Sequence, residues 1–292
     1  MLTVNAITKT IEGRPVLRGI DFTLEPGIVA GLIGRNGAGK TTLLKTMAGI
    51  LDPDAGVVEL DGKPIHRVQE AKRELVFVPD SPEAWFGYTP SEAAGWLAQV
   101  YPAFDRTYFE ATLRRLDLPS AASVRQLSKG MRMLFSIALG LSTRAPYVLL
   151  DEPTNGVDPI AKKQVLSMLV DAASEGRTLV VSSHLLEELE RMTDRLLLMK
   201  NGRIESFGTE EALDGAVSKL QLAFEGDAPE EWLALPGVRV LEHVGRVYTV
   251  LVDPAGEALE RLDAYRTLIR EPLPAKLDDV YEWKFGGYAD DR

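Results

Sequence analysis

Gly34-Arg35-Asn36-Gly37-Ala38-Gly39-Lys40-Thr41 fits the spacing G-x-x-x-x-G-K-[ST], between an apolar strand-like run, Ile28 to Ile33, and a helix-like one. That pattern suits a polyphosphate. The glycines let backbone N–H groups turn inward, Lys40 supplies a cation for the terminal phosphates, and the Thr41 hydroxyl is an oxygen ligand for Mg²⁺. The helix that follows, with Thr42 in its first turn, presents its positive dipole end. A second group stands where the apolar Tyr147-Val148-Leu149-Leu150 ends in Asp151-Glu152. An isolated strand ending this way is more often a solvated loop; after a phosphate loop, Asp151 is expected to hold Mg²⁺ through water. Glu152 is then placed to polarise the water that attacks the γ-phosphate, if it lies within hydrogen-bond reach.

Upstream, Leu127-Ser128-Lys129-Gly130-Met131 precedes an apolar helix-like run, Arg132 to Leu141. Ser128 reads as an N-cap and Gly130 permits close backbone approach, so this is a second helix start suited to an anion. With these residues the sequence resembles the ATP-binding-cassette (ABC) ATPases, whose signature is LSGGQ, over most of residues 1 to 216. The resemblance also matches Asn155-Gly156-Val157-Asp158 to the D-loop and His184, after the strand-like Thr178 to Val181, to the switch histidine. A lone histidine after a strand is otherwise more often a structural hydrogen bonder. The resemblance implies ATP and Mg²⁺ as cofactors and a head-to-tail dimer. In one composite site Lys40, Thr41, Asp151, Glu152 and His184 would act in cis, while Ser128 and Gly130 serve the partner's γ-phosphate.

The chain departs from the family pattern at several positions. Where an aromatic residue would stack on adenine, Ile11 stands in Lys9-Thr10-Ile11-Glu12-Gly13, which leaves apolar contact without ring stacking. Asp80 replaces the usual glutamine after Val76-Phe77-Val78-Pro79; a carboxylate can still bind Mg²⁺ or position water, with shorter reach and added charge. In the signature, Lys129 replaces a glycine and Met131 a glutamine. Lys129 either adds positive charge near the partner's phosphates or is a solvated surface lysine.

The elements that must carry these groups can be read in order. Leu2 to Thr8 and Val16 to Leu24 alternate like antiparallel strands, and Val57 to Leu60 leads into an Asp61-Gly62 hairpin turn. Strands around Ile28, Leu75, Tyr147, Thr178 and Arg195, interleaved with helical runs, predict an α/β phosphate-loop NTPase core with a mainly parallel sheet. Residues 80–145 lose the strand signal and should form a helical subdomain, including Pro90 to Val100 and Thr107 to Leu116. Asn201-Gly202 marks a late hairpin, and Thr209-Glu210-Glu211 looks like the start of a closing helix. This makes 1–216 an ABC nucleotide-binding domain with an antiparallel β subdomain.

Residues 217–292 are then a small α/β appendage, with strand-like Lys219 to Phe224, Val238 to His243 and Arg246 to Val252, and a helical Glu257 to Tyr265. Covering the dimer is the preferred role for it, over ligand sensing. Pro272 to Tyr281 resembles a tail common in exporter-type cassettes.

Composition narrows the setting. With 292 residues, 45% of them hydrophobic, the chain can bury one large core and one small one. It has no cysteine, hence no disulfide or thiolate metal site. No apolar stretch reaches the ~20 residues that span a bilayer, so membrane passage would belong to a separate integral membrane subunit. The expectation is a cytoplasmic protein peripheral at the inner face of the cell membrane. A formal net charge of −10 disfavours a general nucleic-acid binder. Tyr101-Pro102-Ala103-Phe104-Asp105, with the signature, resembles an exporter branch that handles antimicrobial or amphipathic peptides. Trp85, Phe86 and Tyr88 either line a groove for the membrane subunit or are core aromatics. The reading is the ATPase subunit of an ABC exporter. The alternative, a non-transport ABC ATPase acting on nucleic acid or ribosome, fits poorly with one phosphate loop and no heptad run.

Overall fold

The computed structural model describes residues 1–183, 192–208, 217–275, 279–280 and 282–283. The chain divides into two compact units, Met1–Phe207 and Gly208–Arg292.

In the first unit, β1 (Leu2–Ile11) and β2 (Arg14–Leu24) form a hairpin, turned by Glu12 and Gly13, both with positive φ as a two-residue primed turn requires. Next, β3 (Val29–Ile33) feeds residues 34–39 and then α1 (Lys40–Met47). The chain returns to the first sheet with β4 (Ala55–Leu60) and β5 (Lys63–Pro64), turned by Asp61-Gly62, in the order β2-β1-β4-β5. Leu2, Val4, Ile7, Ile20, Leu24, Val58 and Leu60 alternate into a core shared with Leu43 and Leu44 of α1.

After α2 (Gln69–Lys72) come β6 (Leu75–Val78), α3 (Pro90–Val100), α4 (Arg106–Arg115) and α5 (Lys129–Ser142). Then follow β7 (Tyr147–Leu150), α6 (Pro159–Ser174), β8 (Thr178–Ser183), β9 (Arg195–Lys200) and β10 (Arg203–Gly208). The second sheet runs β10-β9-β3-β8-β7-β6, with β9, β3, β8, β7 and β6 parallel. All residues of β3, β7 and β8 are buried, as expected where both faces of a parallel sheet are covered. This is the α/β phosphate-loop NTPase fold, with an antiparallel β subdomain and a helical segment inserted between β6 and β7.

Local chemistry explains the helix starts. Thr89 and Glu92 form a reciprocal capping box with Pro90 at the first turn of α3, Asp105 caps α4 through Tyr108 N, and Ser128 caps α5 through Met131 N at 3.2 Å. The far end of α5 is clamped to its neighbours. Arg144, in the left-handed region at φ +57°, reaches Asp105 at 2.7 Å and Glu175 at 3.1 Å, with its guanidinium over the Tyr108 ring. Arg177 is 7% exposed and donates to Leu141 O at 2.7 Å and to Glu175 at 2.7 Å.

The second unit contains β11 (Ser218–Phe224), α7 (Glu230–Leu233), β12 (Val238–Val244), β13 (Val247–Val252), α8 (Glu257–Leu262) and β14 (Thr267–Leu273). Its sheet is ordered β12-β13-β11-β14, with antiparallel pairing. Phe224, Trp232, Val250 and Leu262 fill its core, and Trp232 Nε1 donates to Ala258 O at 2.8 Å. Sequence patterning did not anticipate β14, because Arg270-Glu271-Pro272 breaks its apolar alternation; pairing with β11 supplies what the pattern lacks. The closing helix expected from Thr209-Glu210-Glu211 lies outside the described residues.

Arg177→Met should keep the buried stem while removing a charged donor from Leu141 O. Leu141 O keeps the Arg144 amide at 3.2 Å, so losing one of its two donors predicts a loss of about 0.5–1.5 kcal/mol in urea unfolding; an unchanged midpoint would show the clamp to be idle.

Candidate functional site

The register of the parallel sheet brings the chemistry to one edge. Ile33 pairs with Ser183, and Leu150 pairs with both Val181 and Val78, so the carboxyl ends of β3, β8, β7 and β6 lie side by side. The phosphate loop leaves the first of these, Asp151-Glu152 leave the third, and Asp80 follows the fourth by two residues. Open α/β sheets bind ligands in the crevice outside these strand ends.

A cavity of about 360 Å³ occupies that edge, lined by Val16, Arg35, Asn36, Gly37, Gly39, Lys40, Thr41, Thr42, Asp80, Glu152 and Asn155. Gly37 and Gly39 have φ +81° and +108°, values that a side chain would strain. A Cβ on Gly39 would also meet Met199 Cε at 2.9 Å, and one on Gly34 would meet Met199 O at 2.5 Å. The β9–β10 turn supports the loop from behind, with Gly202 N donating to Ala38 O at 3.1 Å. Lys40, 6% exposed, donates to Gly34 O at 2.5 Å and pairs with Glu152 Oε1 at 3.1 Å. Glu152 adopts φ +47°, uncommon for a residue with a side chain and of a kind that clusters at functional sites.

Ser182, at the end of β8, ties the Asp151 carboxylate to the backbone of Glu152. Its hydroxyl donates to Asp151 Oδ1 at 2.8 Å and accepts from Glu152 N at 2.9 Å. Asp151 is buried; Ser182 is wholly so. Asp80 has its pKa raised, first by partial burial and then by repulsion from Asp151 and Glu152, with Lys129 acting in the opposite sense.

Other expected site residues lie elsewhere. Ile11 sits at the tip of the β1–β2 hairpin, 38% exposed, and does not line the cavity. Ser128 and Lys129 are exposed at the start of α5, while Gly130 is buried against Asp158 and Ala161. Asp158 caps α6, accepting from Ile160 N and Ala161 N at 3.0 Å. His184 lies outside the described residues. Val16, Ser182 and Gly202 were not singled out as site residues by the sequence reading, and Asn155 only as part of the D-loop. Val16 and Ser182 come from strands with no motif of their own, and nothing local to Gly202 points to the cavity.

A second cavity, about 480 Å³, runs between the β6 segment and the inserted helices, lined by Ile50, Val76, Phe77, Trp85, Leu97 and Val100 among others. Of the three aromatics singled out earlier, only Trp85 lines it. Arg132 lies over Phe86, and Tyr88 stacks edge-on between Trp85 and Trp96.

The model of the ABC transporter family matches residues 17–155, and one for an AAA domain matches residues 121–190. The ABC transporter ATP-binding protein YtrB of Bacillus subtilis is 32% identical over 98% of this chain and 99% of its own length. The chain belongs to the ABC transporter ATP-binding proteins. The family is one of ATP-binding, ATP-hydrolysing subunits, and this chain is such a subunit. The Nod factor export ATP-binding protein I of Burkholderia lata is 33% identical over 71% of this chain and 70% of its own length. Among solved structures, an ATP-binding subunit of an ABC transporter superposes with a TM-score of 0.66 at 26% identity, covering 73% of this chain and 91% of that one. No helix among the described residues is long and apolar enough to cross a membrane.

Two outcomes follow from this geometry. Ser182→Ala should lower turnover by about tenfold or more, because it frees the Asp151 carboxylate and the Glu152 backbone amide from their shared partner, with a stability loss of about 1–3 kcal/mol; ATPase rates and urea unfolding test this. For Asp80 the folded pKa lies above the unfolded one, so the carboxylate costs stability above the folded pKa and that cost vanishes as pH falls below the unfolded value. Asp80→Asn should therefore raise the urea midpoint at pH 7, with a gain that shrinks toward pH 4.

Proposed function

We propose that this chain is the ATP-hydrolysing subunit of an ABC exporter, working as a head-to-tail dimer against a separate membrane subunit. The observation that carries the reading is the single cavity in which the phosphate loop, Lys40 and Glu152 meet. Its volume falls within the range of small-molecule sites. Its donors suit a triphosphate: inward amides, a buried ammonium and a helix N-terminus.

The donor set also fits Mg²⁺. Among the described residues no cluster of three or more His, Cys, Asp or Glu forms a closed metal cage. Thr41, Asp151 and Asp80 offer hard oxygens of the kind Mg²⁺ takes alongside substrate phosphates and water. When bound, the ion would neutralise charge on the transferring phosphoryl group.

The chain's own residues account for the remaining steps. Lys40 now shares its ammonium between Gly34 O, Arg35 O and Glu152. An incoming triphosphate competes for that ammonium and releases the Glu152 carboxylate toward the attacking water. Ser182 holds Glu152's backbone and Asp151 in register while this happens. His184 is assigned to the γ-phosphate by resemblance alone. Ser128 and Gly130 are assigned to a partner's nucleotide, and Asp158 of the D-loop to nucleotide binding as well.

Export is proposed on the naming of the Nod factor relative, and peptide cargo on the resemblance of Tyr101–Asp105 and the signature to peptide-handling exporters. The second cavity, whose mostly apolar walls between core and inserted helices also carry Gln69, Lys72 and Arg73, is proposed as the seat of the membrane subunit. Such seating places the chain at the inner face of the membrane.

Glu152→Gln should bind ATP and Mg²⁺ normally yet turn over at least about a hundredfold more slowly. In that background, ATP should shift the chain from monomer to dimer on size-exclusion chromatography. Near-normal hydrolysis would remove Glu152 from the chemistry, and assembly indifferent to ATP would count against the sandwich.

A further inference from the structure

Two contacts tie the start of α5 to the Asn155–Asp158 turn of the same chain. A Cβ built on Gly156 would stand 2.5 Å from Lys129 Nζ, 3.4 Å from Cε and 3.7 Å from Cδ, so the lysine stem lies along this glycine. One residue on, a Cβ on Gly130 would stand 3.0 Å from Asp158 Oδ2. The turn has a direct link to the phosphate cavity: Asn155 lines it, and Asn155 N donates to Glu152 O at 3.1 Å. Lys129 also acts electrostatically on Asp80, another lining residue. A lysine so placed can serve its own cavity rather than only a partner's.

We propose that Lys129 is a positioning residue for its own chain's catalytic cavity: laid over Gly156, it holds the Asn155–Asp158 turn and so fixes Asn155 beside Glu152. This rests on reading the cavity as the site of ATP hydrolysis. The lysine is exposed, so the contact contributes little to folding, and its effect should be read in turnover. Gly156 lacks a side chain for its backbone conformation, φ +63°; a Cβ there would displace the end of the flexible Lys129 stem.

The test is a double-mutant cycle on the full chain, with steady-state ATPase rates and titration of a fluorescent ATP analogue. Lys129→Ala should lower kcat by about five- to tenfold, a cost suited to a small misplacement, with analogue affinity within about twofold of wild type. Lys129→Arg, keeping charge and stem, should recover most of the rate. Lys129→Ala combined with Gly156→Ala should be no slower than Gly156→Ala alone, because both changes break one contact. The cycle of Lys129→Ala with Asn155→Ala should show the same coupling without placing a side chain at positive φ. Multiplicative losses in an active protein would overturn the proposal alone. So would an unchanged kcat, or weakened affinity at unchanged kcat, which would put the ammonium on the nucleotide. A wild-type chain that binds the analogue but does not hydrolyse ATP would instead bring down the catalytic reading, and the proposal with it.

Discussion

A lysine ammonium and a glutamate carboxylate meet 3.1 Å apart at the edge of an apolar parallel sheet, with side chains only 6% and 13% exposed. Charges this sheltered need partners on every side, since desolvation disfavours an isolated one by several kcal/mol. Much of the first unit supplies them. The Gly34 and Arg35 carbonyls turn toward Lys40, Ser182 ties Glu152's amide to Asp151, and the Gly202 turn braces the loop through Ala38. A triphosphate enters an arrangement already organised around charge.

The inserted helices form a second layer on this constraint. α5 is capped at its start by Ser128, pinned at its end by Arg177 and Arg144, and pressed at Gly130 against Asp158. Its start touches the turn that carries Asn155 to the cavity wall, and its end meets the segment leading into β7, whose carboxylates follow. The Leu127–Met131 segment and the strand that ends in Asp151-Glu152 are thereby joined through one helix.

The second unit has its own aromatic core around Phe224 and Trp232 and carries none of the phosphate-site motifs. The Bacillus relative matches across nearly the whole chain, so this unit belongs with the cassette in at least that relative.

Contiguous segments were legible from the sequence alone. Gly34 to Thr41 encode loop and helix start together, Asp151-Glu152 close a four-residue apolar strand, and Ser128 marks a helix by hydrogen-bonding chemistry that acts within three residues. The parallel core, the helical insertion and three of the four strands among the described residues of the second unit followed from local periodicity for the same reason. What the tertiary structure decided was which strand ends lie side by side. Only the β3-β8-β7 order puts Ser182 between Asp151 and Glu152's amide, Gly202 behind the loop, and Val16 and Asn155 on the cavity wall. It also lays Lys129 over Gly156, in a contact that no spacing of residues could announce. Local motifs act over a few bonds, whereas these contacts join segments tens of residues apart, and sheet packing alone chooses them.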